Sequence, residues 1–332
     1  MNPVRKYENN PVLSAGDITY PASLIFNAGV CKFQGKYIML FRDDVGYSKE
    51  GKTLPKPYTC LGIAVSDDGI RWTPWKDIWS PIQQIIDSDP EYYKAYDPRL
   101  TVLDGRCYIC FALDTWHGTR GGIAVTDDFE KIELLSLSLP DNRNMVLFPE
   151  KFNGRFVRLE RPFPVYSTGG ENFDIWISAS ADCRFWGDFK LLLKHEQVPF
   201  ANSKIGPAAP PVKTDRGWLT LFHAVHSGAD KELDGWEIQD NPKSVWKKEY
   251  LAGIMLLDLE DPSKVLAVAD RPLIQAEEPY EINGFRGSVI FPGGMILEDS
   301  GEVKIYYGAA DTVECLATAH VDDLIRFCCQ KG

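Results

Sequence analysis

The side chains in this sequence best suited to chemistry are carboxylates and cations set into otherwise apolar runs. Asp97 stands in YKAYDPRLTV, directly behind Tyr96 and ahead of Pro98 and Arg99. Asp43 follows Arg42 in LFRDD, Asp311 follows YYGAA, and Asn27 sits in FNAG. The basic residues are Arg143 in DNRN, Arg161 in RLERP, Lys204 in SKIG and His223 in LFHAV. An arginine offers a planar fork of donors to an oxyanion, and a lysine offers a point charge. Such cations, gathered within a chain of formal net charge −11, point to a bound anion. A lone carboxyl beside them can serve as a general acid, because a bound anion makes it harder to ionise.

Each residue also has a plainer reading. Asp before Pro is a common turn former. Arg143 can be a solvated loop charge, and Arg161 and Lys204 can pair with acids on a rim. His223, inside an apolar strand, can be a satisfied core histidine. The choice between the two readings depends on whether the fold brings these residues together.

The elements that would do so come as a repeat. Five segments begin at a turn and run apolar: GKYIMLFR (35–42), GRCYICFAL (105–113), GRFVRLER (154–161), GWLTLFHAV (217–225) and GEVKIYYGA (301–309). Each is preceded by a short apolar piece and followed by another strand-like run, with Asp and Gly punctuating the turns. The unit recurs at intervals of roughly 50–85 residues, longer than a minimal propeller repeat because of inserted loops. Packing such sheets radially buries both faces of each and leaves only short edges. The sequence therefore predicts an all-β chain, a five-bladed β-propeller, forming one domain over 1–332. Inserted loops are expected at about 43–59, 162–172 and 226–250, with a short helix-like tail in VDDLIRFCC. A β-sandwich is the competing architecture. DSDPEYYKAY is compatible with a helical turn. Trp72, Trp75, Trp79 and Trp186 read as blade-packing aromatics, of which one or two could stack on a sugar. Equivalent places in a radial repeat converge on one axis, so the polar residues above would describe a single pocket.

Composition sets the outer limits. The chain has 332 residues, 44% apolar and 25% charged, an ordinary globular composition. The acidic balance argues against binding nucleic acid or an anionic membrane. No apolar run is long enough for a transmembrane helix, and the first residues lack the core of a signal peptide. Of the eight cysteines, Cys107 and Cys110 form a CxxC, but inside CYICFAL it reads as strand, without a second pair at zinc spacing. Reduced thiols in a cytoplasmic protein, with no metal, are the expectation.

The motifs FNAG, FRDD, YDPR, NRNxVLFPEKFNGRF, RP, SKIG, GWLTLFH, DLEDPSKV and YYGAADT, in this order over nearly the whole chain, resemble glycoside hydrolase family 130. That family comprises β-mannoside phosphorylases and related β-mannosidases on a five-bladed propeller. The resemblance implies an inverting phosphorolysis, in which inorganic phosphate is a co-substrate and no cofactor is needed. The products would be α-mannose 1-phosphate and a shortened β-mannoside acceptor. It also implies that Asp97 is the catalytic acid, acting through the 3-hydroxyl of the mannosyl unit. Arg143, Arg161, Lys204 and His223 would bind phosphate, and Asn27, Arg42, Asp43, Tyr96 and Asp311 would contact the mannoside. An ordinary inverting glycosidase needs a second carboxylate to activate water, whereas phosphate arrives as an anion and needs cations. Occupation of all four basic positions favours phosphorolysis over hydrolysis, and a neutral glycan held without turnover would need no such cluster. Ala28, where several relatives carry Ser, and the stretches 162–176 and 226–250 depart from the family pattern, which leaves linkage and acceptor open. A homo-oligomer is left open too, with residues 1–20 or 226–250 as contact surfaces.

Overall fold

The computed structural model of the chain describes residues 2–48, 51–163, 173–228 and 248–330. Five antiparallel sheets surround a common axis as a five-bladed β-propeller. The innermost strands are Ile25–Phe33, Tyr92–Leu103, Asn142–Leu147, Lys204–Pro207 and Ile290–Leu297, for blades 1 to 5 in chain order. The second strands are Lys36–Val45, Arg106–Thr115, Phe156–Pro162, Trp218–Ser227 and Glu302–Ala309.

These strands are apolar on both faces because both faces are covered. In blade 1, Ile38 and Leu40 join a cluster with Ile109, Phe111 and Leu113 of blade 2. Their neighbours Met39 and Phe41 point the other way, toward Tyr306 and Leu316 of blade 5. Tyr108 and Cys110 of blade 2 pack with Leu147 and Phe156 of blade 3. The remaining two clusters fill the seams between blades 3 and 4 and between blades 4 and 5. Period-two alternation thus feeds two cores from one strand. Each buried aliphatic or aromatic side chain contributes about 1.5–3 kcal/mol of hydrophobic stabilisation.

The ring closes with residues from both chain ends. Arg5–Lys6 forms the outermost strand of blade 5, with Arg5 opposite Thr318 and Lys6 opposite Ala317. The helix Val321–Cys329 follows and buries Leu324, Ile325, Phe327 and Cys328. A second helix, Pro81–Asp87, has proline in its first turn, where the missing N–H costs nothing. Its last residue, Asp87, opens DSDPEYYKAY, whose Tyr92 already begins a strand. Within 43–59, Tyr47–Ser48 pairs with Gly51–Lys52 as a small hairpin. Most of 162–172 and 226–250 lies outside the described residues. No helix among the described residues is long and apolar enough to cross a membrane.

The innermost strands crowd the axis. A Cβ on Gly293 would sit 1.9 Å from the Ala28 carbonyl oxygen, and one on Gly29 would sit 2.7 Å from that of Pro98. Both obstacles are backbone and cannot rotate away. At the seam between blades 5 and 1, Glu314 is fully buried, and Ala28 N donates to its Oε2 at 3.1 Å. Burial pushes the Glu314 carboxyl up to about 8, against the opposing effects of the Ala28 bond and Arg99.

Two consequences are measurable. Gly293→Ala should lower unfolding free energy by about 3 kcal/mol in urea, the upper range for overpacking. Gly187→Ala, where a Cβ meets nothing within 4 Å, should stay near wild type. The raised Glu314 carboxyl makes stability greatest below the unfolded value of 4.5 and diminishes it as pH rises to about 8. Glu314→Gln should flatten that fall in urea titrations at pH 5 and pH 8.5, and an unchanged slope would remove Glu314 as its source.

Candidate active site

The innermost strands of blades 1, 2 and 3 share one irregularity. Their pairing with the second strand slips between Phe26 and Gly29, between Tyr96 and Arg99, and between Arg143 and Val146. Inside each slip one residue is left-handed: Asn27 (φ 55°), Asp97 (φ 52°) and Asn144 (φ 58°). Asn and Asp tolerate this conformation better than other side-chain-bearing residues, and a bulge re-aims the side chain it carries. The result is a pocket at the axis whose wall includes all three residues. That accounts for Asp97 standing before a proline in a strand.

Asp97 is held by neighbours from blade 1. Asn27 Nδ2 donates to its Oδ1 at 3.0 Å, and Arg42 Nη1 approaches the same oxygen at 3.3 Å. Arg42 is itself fixed by Asp44, with Nε to Oδ1 at 2.9 Å and Nη2 to Oδ2 at 2.6 Å, and its guanidinium lies over the rings of Phe26 and Tyr96. Burial works against the Arg42 charge, but Asp44 and Asp97 more than offset it. Tyr96 lines the pocket, donates to Asp114 Oδ1 at 2.9 Å and accepts from Arg143 Nη1 at 3.3 Å.

The basic residues come from blades 3 and 4. Arg143 and Arg161 lie opposite each other on paired strands, over Phe163 at 5.4 Å and 5.6 Å. Arg161 Nη1 meets His223 Nε2 at 3.2 Å. Since a guanidinium only donates, His223 Nε2 accepts and its proton resides on Nδ1. Burial first, then the charges of Arg161, Lys204, Arg99 and Arg143, hold the imidazole far below its ordinary value. His223 is therefore a neutral hydrogen-bonding group, not one of the site's cations. The Lys204 ammonium sits 5.7 Å from the ring centre of Tyr250, which is part of the pocket wall. Asp311 (φ 48°) completes the ring from blade 5, accepting from Arg286 Nη1 at 3.3 Å, and burial raises its carboxyl.

Asp43 does not join them. Successive strand residues face opposite ways, so Arg42 and Asp44 share the pocket side and Asp43 faces away. Asp43 is fully buried, accepts from Ser23 N at 3.1 Å, and is pushed by burial up to about 7. Conversely, Arg286, Tyr250 and Phe291 line the pocket and were not singled out in the sequence. Arg286 and Phe291 lie just before and on the inner strand of blade 5, whereas Tyr250 lies on the third strand of blade 4, where no sequence signal marks it. A wider groove around Trp75 and Ile78 has Lys76 as its lone cation, so the chemistry gathers at the axis.

Comparison with known proteins agrees with this architecture. The family model described as beta-1,4-mannooligosaccharide phosphorylase, of glycoside hydrolase family 130, matches residues 4–330. A 1,2-beta-oligomannan phosphorylase of Thermoanaerobacter sp. is 30% identical over 97% of this chain and 98% of its own. A beta-1,4-mannooligosaccharide phosphorylase of Ruminococcus albus is 28% identical over 97% of this chain and 90% of its own. Among solved structures, the beta-1,2-mannobiose phosphorylase of Listeria innocua superposes with a TM-score of 0.80, at 24% identity over 99% of both chains, a likeness of fold. By the span of the family match and the identity across the full length, the chain belongs to glycoside hydrolase family 130.

Proposed function

We infer that this chain is an inverting glycoside phosphorylase acting on a terminal β-D-mannoside. A phosphate oxygen attacks the anomeric carbon, the glycosidic C–O bond breaks, and the leaving oxygen takes a proton. The products are α-D-mannose 1-phosphate and a shortened acceptor. Phosphate is a co-substrate, and the reaction as written requires no metal or organic cofactor.

One observation carries the reading. The acid candidate Asp97 and the candidates Arg143, Arg161 and His223 line one pocket, and Lys204 lies 5.7 Å from the ring centre of Tyr250 in its wall. Asp97, Asn27 and Arg42 come from blades 1 and 2, whereas Arg143, Arg161, Lys204 and His223 come from blades 3 and 4. An inverting displacement needs its nucleophile and its departing oxygen on opposite faces of the sugar. A phosphate on the cation side and the glycosidic oxygen on the Asp97 side would meet that requirement. In this reading Asp97 supplies the proton, either directly or through a sugar hydroxyl. Arg143 and Arg161 give donor forks to phosphate oxygens, and Lys204 adds charge. Neutral His223 can donate from Nδ1. Asn27, Arg42, Tyr96 and Asp311 orient the mannosyl ring.

Products from β-1,2- and β-1,4-linked mannosides, incubated with and without phosphate, test the reading. Mannose 1-phosphate that forms only with phosphate is expected. Free mannose formed equally well without phosphate would replace phosphorolysis by hydrolysis. Asp97→Asn preserves the left-handed tolerance of this position and should cut turnover about 10²–10⁴-fold, the usual contribution of a general acid. Near-normal activity would reject the acid assignment. Arg143→Ala should raise the KM for phosphate at least tenfold, about 1.4 kcal/mol, and the KM for mannoside much less. Equal effects on both would disconnect Arg143 from the anion.

A further inference from the structure

Outside the pocket, Tyr93 and Trp116 form an exposed aromatic pair, with ring centres 4.8 Å apart and planes inclined by 31°. Trp116 is 70% exposed, yet it is anchored. Its backbone N–H donates to the Glu91 carbonyl and its indole Nε1 to the Pro90 carbonyl, each at 3.2 Å. Beside it, His117 Nε2 and a Glu91 carboxylate oxygen lie 3.1 Å apart. A large ring held rigid in water, instead of folded under, is pre-organised for contact, and its ordering cost is already met in the free protein.

The pair lies at the pocket end of blade 2. Trp116 stands in the hairpin turn between Arg106–Thr115 and Gly118–Thr126. Lys94, next to Tyr93, pairs with Asp114, and Asp114 accepts the hydroxyl of Tyr96 on the pocket wall. Tyr93 precedes Asp97 by four positions, about 13 Å of extended strand. Anything stacked on Trp116 is therefore on the mouth of the site but too far out to be the reacting sugar.

We propose that Trp116 and Tyr93 form a stacking platform for an outer sugar unit in the acceptor part of an oligomeric β-mannoside. This rests on the mannoside reading above. A pyranose has an apolar C–H face and a rim of hydroxyls. The exposed indole matches the face, and Glu91 and His117 supply partners for the rim. The platform makes the enzyme selective for chain length without touching the bond that breaks.

The test compares β-mannobiose with β-mannotetraose, in both 1,2 and 1,4 linkages, at saturating phosphate. Trp116→Ala should lower the tetraose-to-biose ratio of kcat/KM about tenfold, the scale of one aromatic contact. Trp116→Phe, which keeps a ring, should largely retain the ratio. An unchanged ratio in a folded Trp116→Ala protein overturns the platform and leaves phosphorolysis standing. Calorimetric titration of the wild type and both variants with mannotetraose gives a readout independent of turnover. Equal affinities in all three overturn the platform even if no mannoside is cleaved, an outcome that would itself count against phosphorolysis.

Discussion

The pocket depends on a guanidinium beneath it. Arg99 is buried at the axis, with Nε donating to the Ala208 carbonyl at 2.7 Å and Nη1 to the carbonyls of Pro98 at 2.7 Å and Asn27 at 3.2 Å. Its charge also lies over the ring of Phe291. One side chain thus ties together inner strands or inner-strand approaches from blades 1, 2, 4 and 5. Two of its acceptors belong to the bulges that carry Asn27 and Asp97, so Arg99 sets the backbone from which the proposed acid projects. Burial makes its charge costly, and the nearby Asp97 and Glu314 carboxyls offset only part of that cost. The crowding that requires Gly29 and Gly293 is the steric counterpart of the same convergence.

Above Arg99 the site gathers charge that a protein interior resists. Arg42 is matched by Asp44 and Asp97, whereas Arg143 meets a tyrosine hydroxyl and a phenylalanine ring. Burial, reinforced by the surrounding cations, keeps the imidazole of His223 neutral. A dianionic ligand would relieve that field, since hydrogen bonds to a charged acceptor are roughly twice as strong as neutral ones. The acidic exterior does not oppose this, because the local charges dominate at short range.

The sequence made some layers of this structure readable and hid others for physical reasons. Three strands of each blade announced themselves because both of their faces are buried and turns of Gly and Asp separate them. The outermost strands did not. Trp186–Leu193 is largely exposed, so its composition follows solvent, not a core. The strand Arg5–Lys6 is paired with residues more than 300 positions away, and no local pattern encodes that closure. In the site, Asp97, Arg143 and Arg161 stood out as charges breaking apolar repeats. Asp43 was misplaced because FRDD offers two adjacent aspartates, and only the pleat decides that Asp44 shares a face with Arg42. Arg286 was missed because it precedes its strand and has no counterpart in the other repeats. The charge state of His223 depends on cations from other blades and is invisible in LFHAV.

The radial repeat explains why one fold can host this chemistry. Inversion separates two tasks that interfere when mixed: an acid must hold a proton where an oxygen departs, and cations must hold an anion where it attacks. A carboxylate set among Arg143, Arg161 and Lys204 would compete with an anion for them. In the proposed reading a five-fold ring assigns the tasks to different blades while directing both at one axis. Blades 1 and 2 turn their left-handed bulges inward with short amide and carboxyl side chains. Blades 3 and 4 send arginine, lysine and histidine from their first and second strands. The hairpin that carries Trp116 is tied to blade 3 as well, since Thr119 N donates to Asp141 Oδ1 at 2.8 Å, two residues before Arg143.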